Sequence, residues 1–514
     1  MQRRARFCFA ITLLTLGYGC AGSGSPSSGS ADKATGGSGP GGAVGGAGGS
    51  GAVSAFPTQN SAPPSEPTRP LDSVLVDVGG VNVAQCAGFD STAPSMLSSS
   101  PANAHGMASP ARAREALQQQ KAPLPATIRS EDFLNYYLGK GSSTGLAPGE
   151  IKISAATSPV KLGDYTLPNQ YDLFVAIEAG PSVSPRPPVA LTLVVDTTPS
   201  MAGESLERAR AGVRALGKAL GAGDHLTVVT SDPALAPKHL DIQDPAVDLL
   251  GLGDDIVPQA SEAGLRTAVE TALAQAQGVF QAGGSNALVI LSDGEGDETG
   301  VGLEQVEAAV AQGVRVHTVG VNGAFGETML YRVARAGRGS YVHLDEQKEA
   351  DVMLHGRFDQ LFTVLAEGVR LEVELPWLYQ LIEETHPSSA MNDVVAQDLS
   401  PGAVIPFLFR IRSCEVAFSA SGPLPVTFSA VGKQKAGAEE TLATLSLKAS
   451  ALKAQTSQEV QSMLATLAYA SALKGPTADR FKLARGLLGA LPQSWPTDEM
   501  SQLLELHPNA PPLP

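Results

Sequence analysis

The chain has 514 residues, enough for two or three domains, and carries 36 Lys+Arg against 51 Asp+Glu for a formal charge of −15. Such a balance excludes sequence-independent nucleic-acid binding, which needs clustered Lys and Arg; it suits an exported protein or a binder of cations or basic partners. The 4 cysteines show no CxxC spacing, which argues against zinc. Of these, Cys86 and Cys414 could pair in an oxidising compartment or stand as two free buried thiols.

Met1 to Arg6 is a basic segment and Phe7 to Leu16 an apolar one, too short to span a bilayer, so residues 1–19 read as a secretory signal. Leu16-Gly-Tyr-Gly-Cys20 resembles a bacterial lipobox, which would make Cys20 a diacylated N-terminus and anchor the chain to a membrane. Ordinary cleavage near Gly19 or Ala21 is the alternative, giving a soluble exported product. Residues 20–70 are rich in Gly, Ser and Pro, bury too little apolar surface to fold, and read as a tether.

Residues 71–187 suggest a helical and β-rich region, with strands at Ser73–Val78, Ile151–Ser154 and Tyr171–Ala179. Helices are expected at Ala113–Gln120 and Ile128–Leu138, the second with Phe133, Leu134 and Tyr137 on one face. Over residues 188–366 the pattern alternates. Apolar strands Val189–Val195, His225–Thr230, Ala287–Ser292, Val314–Val321 and Ser340–Leu344 are separated by helices Ser205–Leu220, Glu262–Phe280, Leu303–Gln312 and Thr328–Arg335. Strands of this kind between helices predict a doubly wound, mostly parallel α/β sheet covered on both faces. Residues 367–450 return to β-rich text, with period-two alternation in Val369–Leu375 and further strands at Val404–Ile411, Val426–Ala430 and Thr441–Leu447. Residues 451–514 hold helices Val460–Leu473 and Ala478–Leu491 and then read as a Pro-rich tail. The two β blocks are expected to form one domain with the α/β unit inserted between them.

Two strands of the expected sheet end in aspartate, one as Asp196-Thr-Thr-Pro-Ser200 and the other as Ser292-Asp-Gly-Glu295. A parallel sheet puts both ends on its carboxyl edge, where open α/β sheets bind ligands. Carboxylates with hydroxyls make a hard oxygen site, suited to Mg²⁺, Mn²⁺ or Ca²⁺. Enzyme chemistry finds less support. Thr198 stands where a haloacid-type phosphatase needs its second carboxylate, and Glu207 where a nucleophile elbow around Ser205 needs its second glycine. His225, His317 and His343 fall in or beside strands, and no strong nucleophile and base pair emerges, so the chain does not read as an enzyme.

Residues 188–366 resemble a von Willebrand factor A (VWA) domain. Asp196, Thr198 and Ser200 match its Asp-x-Ser-x-Ser element with Thr for the first Ser, and Asp293-Gly294 matches its later Asp-Gly. The family's loop threonine, five residues before the Gly of Ala263-Gly-Leu265, is Gln259 here. The stretch from about Ala113 to Leu491 is similar in layout to the bacterial YfbK-type exported VWA proteins, whose C-terminal domain has no known function. The resemblance implies a metal-ion-dependent adhesion site. Asp196, Thr198 and Ser200 would be its ligands, with Asp293 acting through water and Gln259 as a fifth, and it would hold Mg²⁺ or another divalent cation. An acidic residue of a protein partner would complete the ion's shell. A metal-free structural or assembly scaffold of the envelope is the other expectation.

Overall fold

The computed structural model describes residues 86, 89, 95–99, 106–138, 145–162, 165–245, 249, 251–259, 264–295, 302–322, 327–384, 397–414, 425–434, 437–448, 451–452 and 458–509. The signal segment, Cys20, the tether and the strand expected at Ser73–Val78 lie outside these residues.

In chain order, strand β1 (Ser95–Ser99), helices α1 (Ala108–Gln118) and α2 (Ser130–Leu138), and the hairpin β2 (Ile151–Leu162) to β3 (Tyr165–Ala179) come first. The α/β unit follows as β4 (Val189–Val195), α3 (Glu204–Ala219), β5 (His225–Thr230), β6 (Lys238–Asp241), α4 (Leu265–Gly278), β7 (Ser285–Ser292), α5 (Leu303–Ala311), β8 (Val314–Gly320), α6 (Glu327–Ala336) and β9 (Arg338–His343). Two short helices, α7 (Gln347–Ala350) and α8 (Phe358–Phe362), lead out of it. The strands β10 (Ala366–Leu375), β11 (Tyr379–Glu384), β12 (Gln397–Leu399), β13 (Val404–Ser413), β14 (Pro425–Gln434) and β15 (Glu439–Lys448) come next. Helices α9 (Gln458–Lys474), α10 (Ala478–Gly489) and α11 (Trp495–Leu506) close the described chain.

The α/β sheet has the order β6-β5-β4-β7-β8-β9. Its pairs are parallel except β5–β6, which is antiparallel. All seven residues of β4 are buried, because helices cover both faces. Leu191, Leu193 and Val195 face α3 through Leu206, Val213 and Leu216, while Val194, Leu288 and Ile290 face α4 and α6. Each such side chain contributes about 1.5–3 kcal/mol when fully buried. The chain runs from β4 outward through β5 and β6, then crosses to β7 and runs the other way. The β4–β7 junction is therefore the switch point where ligands gather in open α/β sheets.

The strands on either side of the α/β unit pair with one another. β3 pairs with β13 from Val404↔Glu178 to Arg412↔Gln170, and β1 pairs with β10. They form two antiparallel sheets, β11-β13-β3-β2 and β1-β10-β14-β15 with β12 beside β10. One apolar core unites them, including Val175, Ile177, Leu371, Val373, Phe407, Phe409 and Phe428. Arg315 on β8 donates to Asp398 of β12 at 2.6 Å and to Glu367 of β10 at 3.2 Å, tying the α/β unit to this domain.

Cys86 and Cys414 form a disulfide with Cα atoms 5.3 Å apart at a sequence separation of 328. Sequence spacing leaves both a bond and two thiols open; the structure holds the bond, with Cys414 directly after β13. Replacing both cysteines by serine is expected to cost about 2–4 kcal/mol, read as a lower urea midpoint under oxidising conditions and no difference from the native chain after reduction.

The expectation of a Pro-rich tail after Leu491 is corrected: α11 follows. Pro496 stands in its first turn, where a missing N–H costs nothing, and Ser494 and Thr497 cap it reciprocally. Its Met500, Leu503 and Leu504 enter the core on the α3 side. The edge strand β6 and the strands β11 and β12 were also absent from the sequence reading.

Candidate functional site

Asp196 follows β4 directly and is fully buried. Its backbone N–H extends the β4–β7 ladder by donating to Leu291 O at 2.9 Å. The carboxylate then turns into the corner. Oδ1 accepts from Thr198 N at 3.0 Å and from Thr198 Oγ1 at 2.7 Å, and Oδ2 accepts from Ser292 Oγ at 2.6 Å. Ser231 Oγ, at the end of β5, lies 3.4 Å from Oδ1 and accepts from Thr197 N at 2.8 Å. Groups at the ends of three neighbouring strands, β5, β4 and β7, thus converge on one carboxylate.

Ser200 sits in a single 3₁₀ turn, Pro199–Met201, with its Oγ 3.2 Å from Thr198 Oγ1. Gly203, at φ 85°, caps the next helix; neither Ser200 nor Ser205 does so. Asp293 is fully buried, and its Oδ1 accepts from Glu295 N at 2.9 Å. Its Oδ2 is buried and accepts no hydrogen bond among the described residues. Burial first, and the nearby charge of Asp196, push the Asp293 carboxyl above the usual range, against the hydrogen bonds from Glu295 N and Ser200.

Gln259 reaches the corner through its backbone, its N–H donating to Thr197 O at 2.7 Å. Five residues after Gln259, Gly264 takes φ +140° with its α-carbon against the end of β5: a Cβ there would stand 2.0 Å from Ser231 O. Only glycine fits that passage, which explains the Gly of Ala263-Gly-Leu265.

The structure therefore gathers Asp196, Thr198, Ser200 and Asp293 at the switch point and brings the backbone of Gln259 beside them. Sequence reading missed Ser231 and Ser292. Their signal is slight, a lone serine ending each of the strands next to β4. The donor set of two carboxylates and two hydroxyls has the hard-oxygen character a divalent cation takes, and the buried Asp293 Oδ2 is the atom such an ion would use. Against this, both oxygens of Asp196 already accept hydrogen bonds. Among the described residues, no group of three or more His, Cys, Asp or Glu could hold a metal ion.

The histidines considered for base chemistry serve packing. His317 Nδ1 accepts from Ser340 N at 2.9 Å, His225 lies against Asp241, and His343 is buried with Nε2 3.0 Å from Glu115. Burial holds His343 below its ordinary pKa, against the pull of Glu115, and Glu115 is also ion-paired to Arg208 at 2.8 Å. Among the described residues, no helix is long and apolar enough to cross a membrane.

No family model matches the chain. It is similar to the uncharacterized protein YfbK of Escherichia coli K12, at 24% identity over 332 residues that cover 59% of this chain and 56% of that protein. It thus spans little more than half the length of that relative. Among solved structures it is similar to a von Willebrand factor type A protein from Catenulispora acidiphila, at 12% identity and TM-score 0.42 over 70% of this chain and 89% of that one. It is also similar to the ArnB paralog VWA2 from Sulfolobus acidocaldarius, at 14% identity and TM-score 0.37 over 70% and 96%. The α/β unit of this chain is a mixed six-stranded sheet with helices packed on both faces.

Proposed function

We propose that this chain is a non-catalytic, protein-binding scaffold of the cell envelope. It receives its partner at the carboxyl edge of the VWA-like sheet, at a corner that holds its shape without a metal ion. The observation that supports this reading is the engagement of Asp196 within the corner: its own neighbours Thr198 and Ser292 supply hydrogen bonds to both carboxylate oxygens. Gln259 in place of a compact hydroxyl supports it. The basic and apolar N-terminal segment and the disulfide, which persists only in an oxidising compartment, support export.

A second reading, a divalent-cation adhesion site, is favoured by one observation, the buried Asp293 Oδ2 that accepts no hydrogen bond among the described residues. Thr198, Ser200 and Asp293 would then hold the ion, with Asp196 behind them, and the ion would lend the edge a positive charge for an acidic partner residue. Calorimetric titration of the purified chain with Mg²⁺ and Mn²⁺ separates the two. Under the scaffold reading no heat is released, and the melting temperature is the same with and without EDTA. A saturable heat accompanied by a higher melting temperature would replace it with the cation site.

A further inference from the structure

We infer that a cavity at the seam between the α/β unit and the β-domain binds a small organic anion through a phosphate or carboxylate group. The cavity has a volume of about 520 Å³, within the range of small-molecule sites, which gather at domain interfaces. Its walls come from residues 181, 182 and 186 after β3, 218 and 219 at the end of α3, 355–360 around the start of α8, and the turn 401–402 before β13. It lies at the start of β4: Asp224 accepts from Val189 N at 2.8 Å and from Arg186 at 3.0 Å. The corner follows the other end of β4, so the inference stands apart from either reading of it.

In a chain of formal charge −15, this lining carries the cations Arg186, Lys218 and Arg357 against one acid, Asp359. The three cations differ in what already meets them. Arg186 is committed to Asp224, lies 3.6 Å from Asp359 and sits over the Phe358 ring at 5.1 Å, so it shapes the wall. Lys218 pairs with Asp351 at 2.7 Å, but both side chains are more than half exposed; such a pair is worth little and gives way to a better partner. Arg357 is the uncompensated charge. It is 4% exposed, and its terminal nitrogens meet Asn135 O at 3.1 Å, Tyr136 O and Met107 Sδ, none of them charged. Its Nε is buried and has no hydrogen-bond partner among the described residues. Burial pulls its pKa down to about 10, against Tyr136 and Glu349. A buried cation in this state is costly unless an anion compensates it. Ser182 Oγ is a second buried group of the same lining without a partner among the described residues, and a hydroxyl can donate. Phe358 and Pro401 add apolar wall, which suits an anionic head with an organic body. An occupant would touch both connections to the α/β unit, residues 180–188 and the helix leading into 363–365, and brace them together.

The test titrates the full chain calorimetrically with phenyl phosphate, benzoate and inorganic phosphate, with chloride at matched ionic strength as the blank. The comparison is a double variant, Ser182→Ala with Lys218→Gln, whose melting temperature confirms folding. The expected result is a saturable heat with phenyl phosphate or benzoate, and a melting temperature that rises with the same compound. The double variant should bind it at least about tenfold more weakly, or by about 1.4 kcal/mol, and rising salt should weaken both. Phenyl phosphate binding alone assigns a phosphate head, benzoate alone a carboxylate. No saturable heat with any of the three, or equal binding by the native chain and the double variant, would overturn the inference. Inorganic phosphate bound as tightly as phenyl phosphate would overturn the organic body, because the apolar wall would then be unused.

Discussion

Asp196→Ala is expected to destabilise the chain by about 3–5 kcal/mol, because Thr198 N, Thr198 Oγ1 and Ser292 Oγ then lose their acceptor in a buried corner. Its neighbour should behave in the opposite sense. The raised pKa of Asp293 means that its ionised form burdens the folded state. That burden is absent below the unfolded value of about 3.9, where the carboxyl is protonated in both states, and grows as pH rises through the higher folded value. Asp293→Asn, neutral throughout, should therefore melt above the native chain at pH 7, with the gain vanishing on acidification. Thermal melts of both variants in EDTA across this range provide the check. If a cation were an integral part of the corner, both variants would destabilise the chain in metal-containing buffer, and Asp293→Asn would lose its gain.

The second large effect is expected at Arg114, a buried residue of α1. Its Nε donates to Asp345 at 2.6 Å, one terminal nitrogen to Asp345 at 2.8 Å and Glu349 at 2.9 Å, and the other to Tyr136 at 3.1 Å and Glu499 at 2.9 Å. All five guanidinium N–H groups are used. Burial opposes the charge of Arg114, and the bonds to Asp345 with the charges around it hold that charge in place. Arg114→Met keeps much of the volume but leaves the carboxylates Asp345, Glu349 and Glu499 facing one another without their cation. Breaking a buried pair in this way costs about 3–5 kcal/mol. Because Glu499 lies on α11, limited proteolysis should find the Trp495–Leu506 helix first. A variant as stable and as protease-resistant as the native chain would show that the network contributes little.

These two positions also mark what the sequence could and could not reveal. Strands β4 and β5 are legible to the residue, since a run such as Val189–Val195 can satisfy its apolar side chains only between two covering layers. The Asp196 and Asp293 pair follows from parallel topology alone. Arg114 could not be read, because its partners Asp345 and Glu499 stand 231 and 385 residues away and no local spacing encodes such a meeting. Ser231 and Ser292 are single hydroxyls whose role appears only once the strands are side by side. β6, Lys-His-Leu-Asp, lacks the apolar alternation of a covered strand because its side chains are largely exposed. α11 was hidden by its own Pro496, which breaks a helix interior but suits a first turn.

The pairing of β3 with β13 and the Cys86–Cys414 bond set a route for mechanical load. If residues before Cys86 are held while a partner pulls on the carboxyl edge, tension passes through a covalent bridge into the end of β13, and along β13 and β3 in shear across nine register pairs. It reaches the α/β unit by two connections side by side, residues 180–188 after β3 and 363–365 before β10. The strands that would yield under a pull thus share the force through their whole hydrogen-bonded length, and the inserted unit hangs from both of its ends rather than lying in series with the chain.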